Sequence, residues 1–93
     1  MQGPVKAYPG LGTIFFLALP KQESAQIKEV FGGMKRGFGS LAVIASVGKT
    51  KWKTSIFPDH ELGIYVLPLK ADVRKKEKIK PGDMIPFTVE ILV

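Results

Sequence analysis

The residues able to do chemistry in this chain are cations and aromatics. The loop Gly32-Gly33-Met34-Lys35-Arg36-Gly37-Phe38-Gly39 sets Lys35 and Arg36 among glycines, and free backbone N–H groups beside cations suit an anion. It lacks phosphate-loop spacing and opens onto no long helix, so a helix stop followed by a strand bulge accounts for the same residues. Further on, Lys51, Lys53 and Ser55 alternate with Trp52. With Trp52 turned inward, the lysines form an exposed basic ladder that also deters edge-to-edge pairing. With Trp52 turned outward, the indole becomes a stacking platform beside cations, as in proteins that bind single-stranded nucleic acid. The inward orientation is the expectation carried forward, with Trp52 mostly buried. Arg74, Lys75, Lys76, Lys78 and Lys80 form a basic run, which is a solvated face or, if functional, a phosphate-contacting one.

Reactive chemistry has little to stand on. His60 is the sole histidine, between Asp59 and Glu61 in a turn, and a metal would need further ligands converging from elsewhere. No Ser-His-Asp or paired-carboxylate spacing marks a nucleophile with its base. The expectation is a non-enzymatic protein without metal or cofactor. With no cysteine, a disulfide scaffold, a thiolate metal site and a thiol nucleophile are all excluded, which fits a reducing cytoplasm.

The formal charge is +6, from 14 Lys and Arg against 8 Asp and Glu. Only Arg36 and Arg74 carry the planar fork that reads bases and phosphates bidentately; the remaining cations are lysine point charges. Nucleic-acid binding would therefore be weak and indifferent to sequence. The longest apolar run, Ile14 to Leu19, is six residues, far below the roughly 20 of a spanning helix. Pro20-Lys21 follows it directly, so neither a membrane span nor a signal peptide is expected.

The elements that must hold these residues are short. With 93 residues the expectation is one domain, residues 1–93. Val5–Tyr8 and Ile14–Leu19 read as strands, the second covered on both faces. A helix starts at Pro20, with Ala25 or Ile27 joining Val30 and Phe31 in an apolar stripe, and Gly32-Gly33 ends it with a positive φ. Leu41, Val43, Ala45 and Val47 share one strand face. A Gly48-Lys49-Thr50 hairpin leads back into Lys51–Phe57, and Trp52, Thr54 and Ile56 share a face there. Pro58–Gly63 is a turn and Gly63–Leu67 a strand closed by Pro68. Ala71–Lys78 is a helix anchored by Val73 with Leu69 and Ile79. After the Pro81-Gly82-Asp83 turn, Met84–Val93 alternates with Ile85, Phe87, Val89 and Ile91 on one face; Pro86 belongs at an edge or bulge. The fold class is mainly β with two short helices: a small closed six-stranded barrel, every strand partnered within one monomeric chain.

Two strand–Pro–helix half-repeats underlie that reading. Phe16-Leu17-Ala18-Leu19-Pro20 followed by Ile27-Lys28 parallels Tyr65-Val66-Leu67-Pro68 followed by Val73-Arg74. The second unit, ending in Ile79-Lys80-Pro81-Gly82-Asp83, resembles the repeat of the swapped-hairpin barrels of transition-state regulators and antitoxins. Taken whole, the chain resembles the prokaryotic family called domain of unknown function 1905. The resemblance rests on Leu19-Pro20-Lys21, Lys35-Arg36-Gly37-Phe38-Gly39-Ser40, Trp52 to Asp59, Tyr65-Val66-Leu67-Pro68-Leu69-Lys70, Val73-Arg74-Lys75 and Gly82-Asp83. It implies a small β-barrel and no established activity.

The candidate ligand-binding residues are Lys35, Arg36, Trp52, Lys53, Ser55, Tyr65, Lys70 and Arg74. They define two expectations. The first is a binding module whose basic surface takes an anion or, weakly, nucleic acid. The second is an accessory domain that holds a small ligand or protein partner in a loop-lined cradle around Tyr65, Trp52 and the Arg36 loop.

Overall fold

Alternating hydrophobicity produces seven strands, and in the computed structural model they form one antiparallel sheet. Residues 1–8, 14–32 and 39–92 are described; Lys35 and Arg36, and with them most of the glycine-rich loop, lie outside the described residues. The order is β1 (Gln2–Tyr8), β2 (Ile14–Ala18), α1 (Lys21–Phe31), β3 (Leu41–Val47), β4 (Thr50–Asp59), β5 (Ile64–Pro68), α2 (Ala71–Lys76), β6 (Met84–Pro86) and β7 (Thr88–Ile91). Across the sheet the strands run β6-β1-β2-β5-β4-β3-β7.

β3 shows why the pattern works. Leu41, Val43, Ala45 and Val47 are buried while the residues between them are half-exposed. Register places Leu41 opposite Ile56, Val43 opposite Thr54 and Ala45 opposite Trp52, so Trp52, Thr54 and Ile56 do share the core-facing side. On the far flank Val43 meets Ile91 and Ala45 meets Val89. The core is completed by Val5, Leu17, Leu19, Ile27, Tyr65, Leu67, Leu69, Val73, Ile79 and Phe87. β2 is covered on both faces, with Phe16, Leu17 and Ala18 all buried.

Several boundaries differ from the sequence reading, for local reasons. β4 continues through Pro58 and Asp59, which pair with Tyr65 and Ile64 of β5, so the turn shrinks to residues 60–63. The expected last strand is two. Pro86 has no N–H to donate, and β6 ends there on the outer edge. Phe87 then exchanges backbone hydrogen bonds with Met1: its N–H donates to the Met1 carbonyl at 2.8 Å, and its carbonyl accepts from the Met1 nitrogen at 3.0 Å. The ladder therefore runs open from β6 to β7, two edges that are successive pieces of one stretch of chain.

The order strand–strand–helix–strand occurs twice, as β1–β2–α1–β3 and β4–β5–α2–β6, in a different alignment from the one the prolines suggest. Leu17 pairs with Leu67 at the β2–β5 contact. Beside it Leu19 N–H donates to Tyr65 O at 3.0 Å, and Leu69 N–H to Phe15 O at 2.8 Å. This reciprocal pattern sets Leu17 against Leu67, Leu19 against Leu69, and the first helical residue Lys21 against Ala71. Pro20 precedes α1, whereas Pro68 is still inside β5, opposite Phe16; the two prolines are not equivalent. The units also exchange their third strands, since β3 pairs with β4 and β6 with β1.

On α1 the buried residues are Ser24 and Ile27; Ala25 is exposed and Val30 is 68% exposed. A polar side chain faces inward because it has work there: Ser24 Oγ accepts the Tyr65 N–H at 3.0 Å, leaving no unpaired donor in the interior. Gly32 keeps a right-handed φ of −58°; Gly33, the other half of the expected Gly32-Gly33 stop, lies outside the described residues. α2 ends differently. Lys78 adopts φ +54°, and Ile79 N–H returns to Arg74 O at 2.9 Å. These are the marks of a Schellman motif with lysine where glycine is usual. Pro81-Gly82 then turns, Gly82 having φ +91°, and its N–H binds Val5 O at 2.8 Å.

Candidate functional site

The expected site residues fall into three groups. Trp52, Lys53, Lys70 and Arg74 come together at one cleft of about 300 Å³. Tyr65 does not: it is buried at 6% exposure, its backbone occupied by Ser24 and Leu19, and burial raises its hydroxyl pKa above 10.0. Ser55 also stands apart, half-buried on β4. Lys35 and Arg36 lie outside the described residues, so of the cradle expected around Tyr65, Trp52 and the Arg36 loop only the Tyr65 and Trp52 positions are described.

The cleft is built where β2, β4 and the β5–α2 connection meet. β4 contributes Trp52, Lys53 and Thr54; β2 contributes Ile14 and Phe15; β5 contributes Pro68, the connection Leu69 and Lys70, and α2 Ala71 and Arg74. Trp52 faces the core side opposite Ala45 and packs against the core cluster. It is half-buried, more open than the mostly buried ring expected. The physical reason is its place near the hairpin end of β4, where the flank toward α2 opens into the cleft.

Arg74 is the most constrained cation of the group. Its guanidinium carbon lies 3.9 Å from the centre of the Phe15 ring, a cation–π contact of the kind that draws arginine onto aromatic faces. Its Nε–H donates to the Leu69 carbonyl at 3.3 Å. These two contacts fix the plane of the group and leave its terminal amino groups as the donors available to a ligand. Lys70 and Arg74 bring their charges to the cleft, Lys53 stands at its rim on the strand face opposite Trp52, and among the described residues no carboxylate lines it. Phe15, Pro68 and Leu69 were not among the site residues expected from the sequence. Phe15 belongs to the continuous apolar run Ile14 to Leu19, and nothing in the sequence connected it to Arg74.

Two other features frame the cleft. Behind Trp52, the Thr50 hydroxyl donates to Glu77 Oε2 at 2.7 Å, tying the β3–β4 hairpin to the end of α2. On the outer face of the sheet the Tyr8 hydroxyl donates to Asp59 Oδ2 at 2.5 Å, while Asp59 Oδ1 accepts from the N–H groups of Glu61 and Leu62 at 3.0 and 3.1 Å. The Tyr8 hydrogen bond, aided by those amides, holds the Asp59 carboxyl below 3.8. The same bond raises Tyr8 above 10.0. Tyr8 also stacks on Phe16, ring centres 4.6 Å apart. Among the described residues no group of three or more His, Asp or Glu is placed to hold a metal, and no helix is long and apolar enough to cross a membrane.

Residues 2–89 match the family described as Domain of unknown function (DUF1905). The match spans nearly the whole chain, and the protein belongs to that family. No curated protein matches the sequence.

Proposed function

We propose that this protein is a non-enzymatic binding module for an anionic ligand, with the cleft between Trp52 and Arg74 as its site. The observation that carries the reading is the lining itself: Lys70 and Arg74 beside Trp52 and Phe15, with Lys53 at the rim and no acidic residue among the described lining residues. Cations confined to a concave, partly apolar site raise the local concentration of anions. Nucleic acid would be held mainly through lysine–phosphate contacts, indifferent to sequence and no tighter than roughly 10 to 100 μM at physiological salt. We also read the fold as a monomeric six-stranded barrel, counting β6 and β7 as one strand bent at Phe87; the reciprocal Met1–Phe87 bonds support this. The cytoplasm is the setting inferred from a cysteine-free chain.

Trp52 is the single tryptophan, so its emission reports on the cleft directly. Titration with pyrophosphate and with a short oligothymidylate at 50 and 300 mM salt should change that emission, less at the higher salt, and Arg74→Ala should weaken both responses. Emission unchanged with both probes, or responses insensitive to Arg74→Ala, would refute the reading. The alternative, an accessory domain contacting a protein, is favoured by one observation. A second recess of about 260 Å³, between α1 and β7, is lined by Met1, Ile27, Val30, Phe31, Val89 and Ile91 together with Glu23 and Gln26.

A further inference from the structure

We propose that the ligand of this cleft is one flat ring carrying a dianionic group, the chemistry of a single nucleotide, and not a length of polymer. This rests on the anion-binding reading above and narrows it. The first argument is size. About 300 Å³ is the bottom of the range for small-molecule sites, roughly 300 to 1,000 Å³, and holds one compact ligand.

The second argument is the division of labour among the lining residues. Arg74 is held flat by Phe15 on one face and by the Leu69 carbonyl at Nε, so its terminal amino groups present a preset fork. Forks of this kind match two oxygens of one phosphate. Lys70 adds a mobile point charge to the same cleft, while Lys53, on the strand face opposite Trp52, borders its rim. Arg74 and Lys70, with no carboxylate among the described lining residues, suit a dianion better than a single carboxylate. An anion alone, however, gives no use for Trp52. Its ring faces inward opposite the small Ala45, yet stays half-buried at the cleft wall. A half-open indole beside fixed cations is a surface on which a planar ring stacks. Ring and phosphate would then be read by different walls of one site.

The same chemistry can come from a free mononucleotide or from the phosphorylated end of a strand, and the test separates them. Calorimetric titrations of the whole protein at 50 mM salt would compare adenosine 5′-monophosphate, ribose 5-phosphate, adenosine, and an oligonucleotide with and without a 5′-phosphate. Adenosine 5′-monophosphate should bind about tenfold or more tighter than either of its parts, the advantage expected from stacking one base. Trp52→Leu should remove that advantage and leave ribose 5-phosphate unchanged, whereas Arg74→Lys should weaken both phosphates. Because Trp52→Leu can fail to fold, the comparison of the three small probes on the unaltered protein is decisive by itself. Equal binding of adenosine 5′-monophosphate and ribose 5-phosphate would overturn the ring proposal while leaving the anion reading intact. Binding of oligonucleotides but not the monophosphate would also overturn it. Tighter binding of the 5′-phosphorylated oligonucleotide than of the unphosphorylated one, alongside the monophosphate, would support the proposal and identify a strand end as its source. Failure of every phosphate probe would bring down the anion reading itself.

Discussion

Adding one methyl group at Gly3 should damage this fold about as much as truncating a large core side chain. Gly3 is buried in β1, opposite Ile85 of β6. A Cβ there would fall inside contact distance of the Ala18 carbonyl oxygen, 3.2 Å from its carbon and 3.5 Å from the Phe87 ring. The obstacle is backbone, which cannot swing aside like a side-chain tip. Relief requires β1 to part from the end of β2, and that strains the Gly3–Ile85 pairing and the Met1–Phe87 bonds beyond it. Overpacking a well-filled core costs about 1 to 3 kcal/mol, and a backbone obstacle belongs at the top of that range, about 3 kcal/mol. A chain of this length has about 5 to 14 kcal/mol in total. In urea, with a slope of about 1 to 3 kcal/mol per molar, the midpoint should fall by about 1 to 3 M. Melting should drop by about 12 to 24 °C. Gly32→Ala is the control. Gly32 is right-handed, and a Cβ there would meet only Lys28 Cγ at 3.7 Å, so this change should stabilise by about 0.5 to 1 kcal/mol. A Gly3→Ala protein within about 1 kcal/mol of the parent, or two glycine variants alike in sign and size, would refute the reasoning.

Other outcomes follow from single contacts. Ser24→Ala leaves the Tyr65 N–H without its acceptor and should cost about 1 to 3 kcal/mol, with faster hydrogen exchange at the Tyr65 amide. Lys78→Gly relieves a left-handed residue, strain of about 1 to 2 kcal/mol; after the extra flexibility of unfolded glycine is subtracted, a gain of about 1 kcal/mol should appear on denaturation. Tyr8→Phe removes the main cause of the low Asp59 pKa, so carboxyl titration by NMR should find Asp59 moved up toward 3.8. Because the folded value is depressed, its stabilisation is complete above 3.8 and fades as pH falls through the folded value; in the variant that contribution shrinks. The raised Tyr8 works at the other end. Its contribution is present below 10.0, is lost as pH rises through the folded value, and should vanish in Tyr8→Phe.

The fold was most legible where one physical constraint acted alone. The β3 face Leu41, Val43, Ala45 and Val47, the anchors Leu69, Val73 and Ile79, and the turn at Gly82 each follow from local pattern and appear in the structure. Readings went astray where tertiary demand outweighed pattern. Ser24 took an inward place because a strand N–H needed an acceptor, while the apolar Val30 was left outside. The two prolines looked like matching marks, but hydrogen-bond register and not residue identity defines the repeat. The candidate site was half legible. Trp52, Lys53, Lys70 and Arg74 were named, but their meeting depends on Phe15 and Leu69, which reach Arg74 through the β2–β5 pairing. Periodicity along one strand carries no information about a partner so distant in the chain.

The exchange of third strands sets a timetable for folding. β3 can pair with β4 as soon as the hairpin has been made, but its other edge must wait for β7. β1 likewise finds β2 at once and its second partner, β6, only at the end. Met1 and Phe87, which exchange bonds across that last junction, are 86 positions apart. Contacts of such separation form late because the intervening chain must first give up its freedom. During synthesis, then, two strand edges stand open until β6 and β7 have emerged from the ribosome. Edges of that kind invite pairing with other chains. Exposed lysines along the waiting structure, such as Lys6 on β1 and Lys51 and Lys53 on β4, make nascent neighbours repel one another during that interval. Part of the basic charge would thus serve the unfinished protein, whatever the finished one binds.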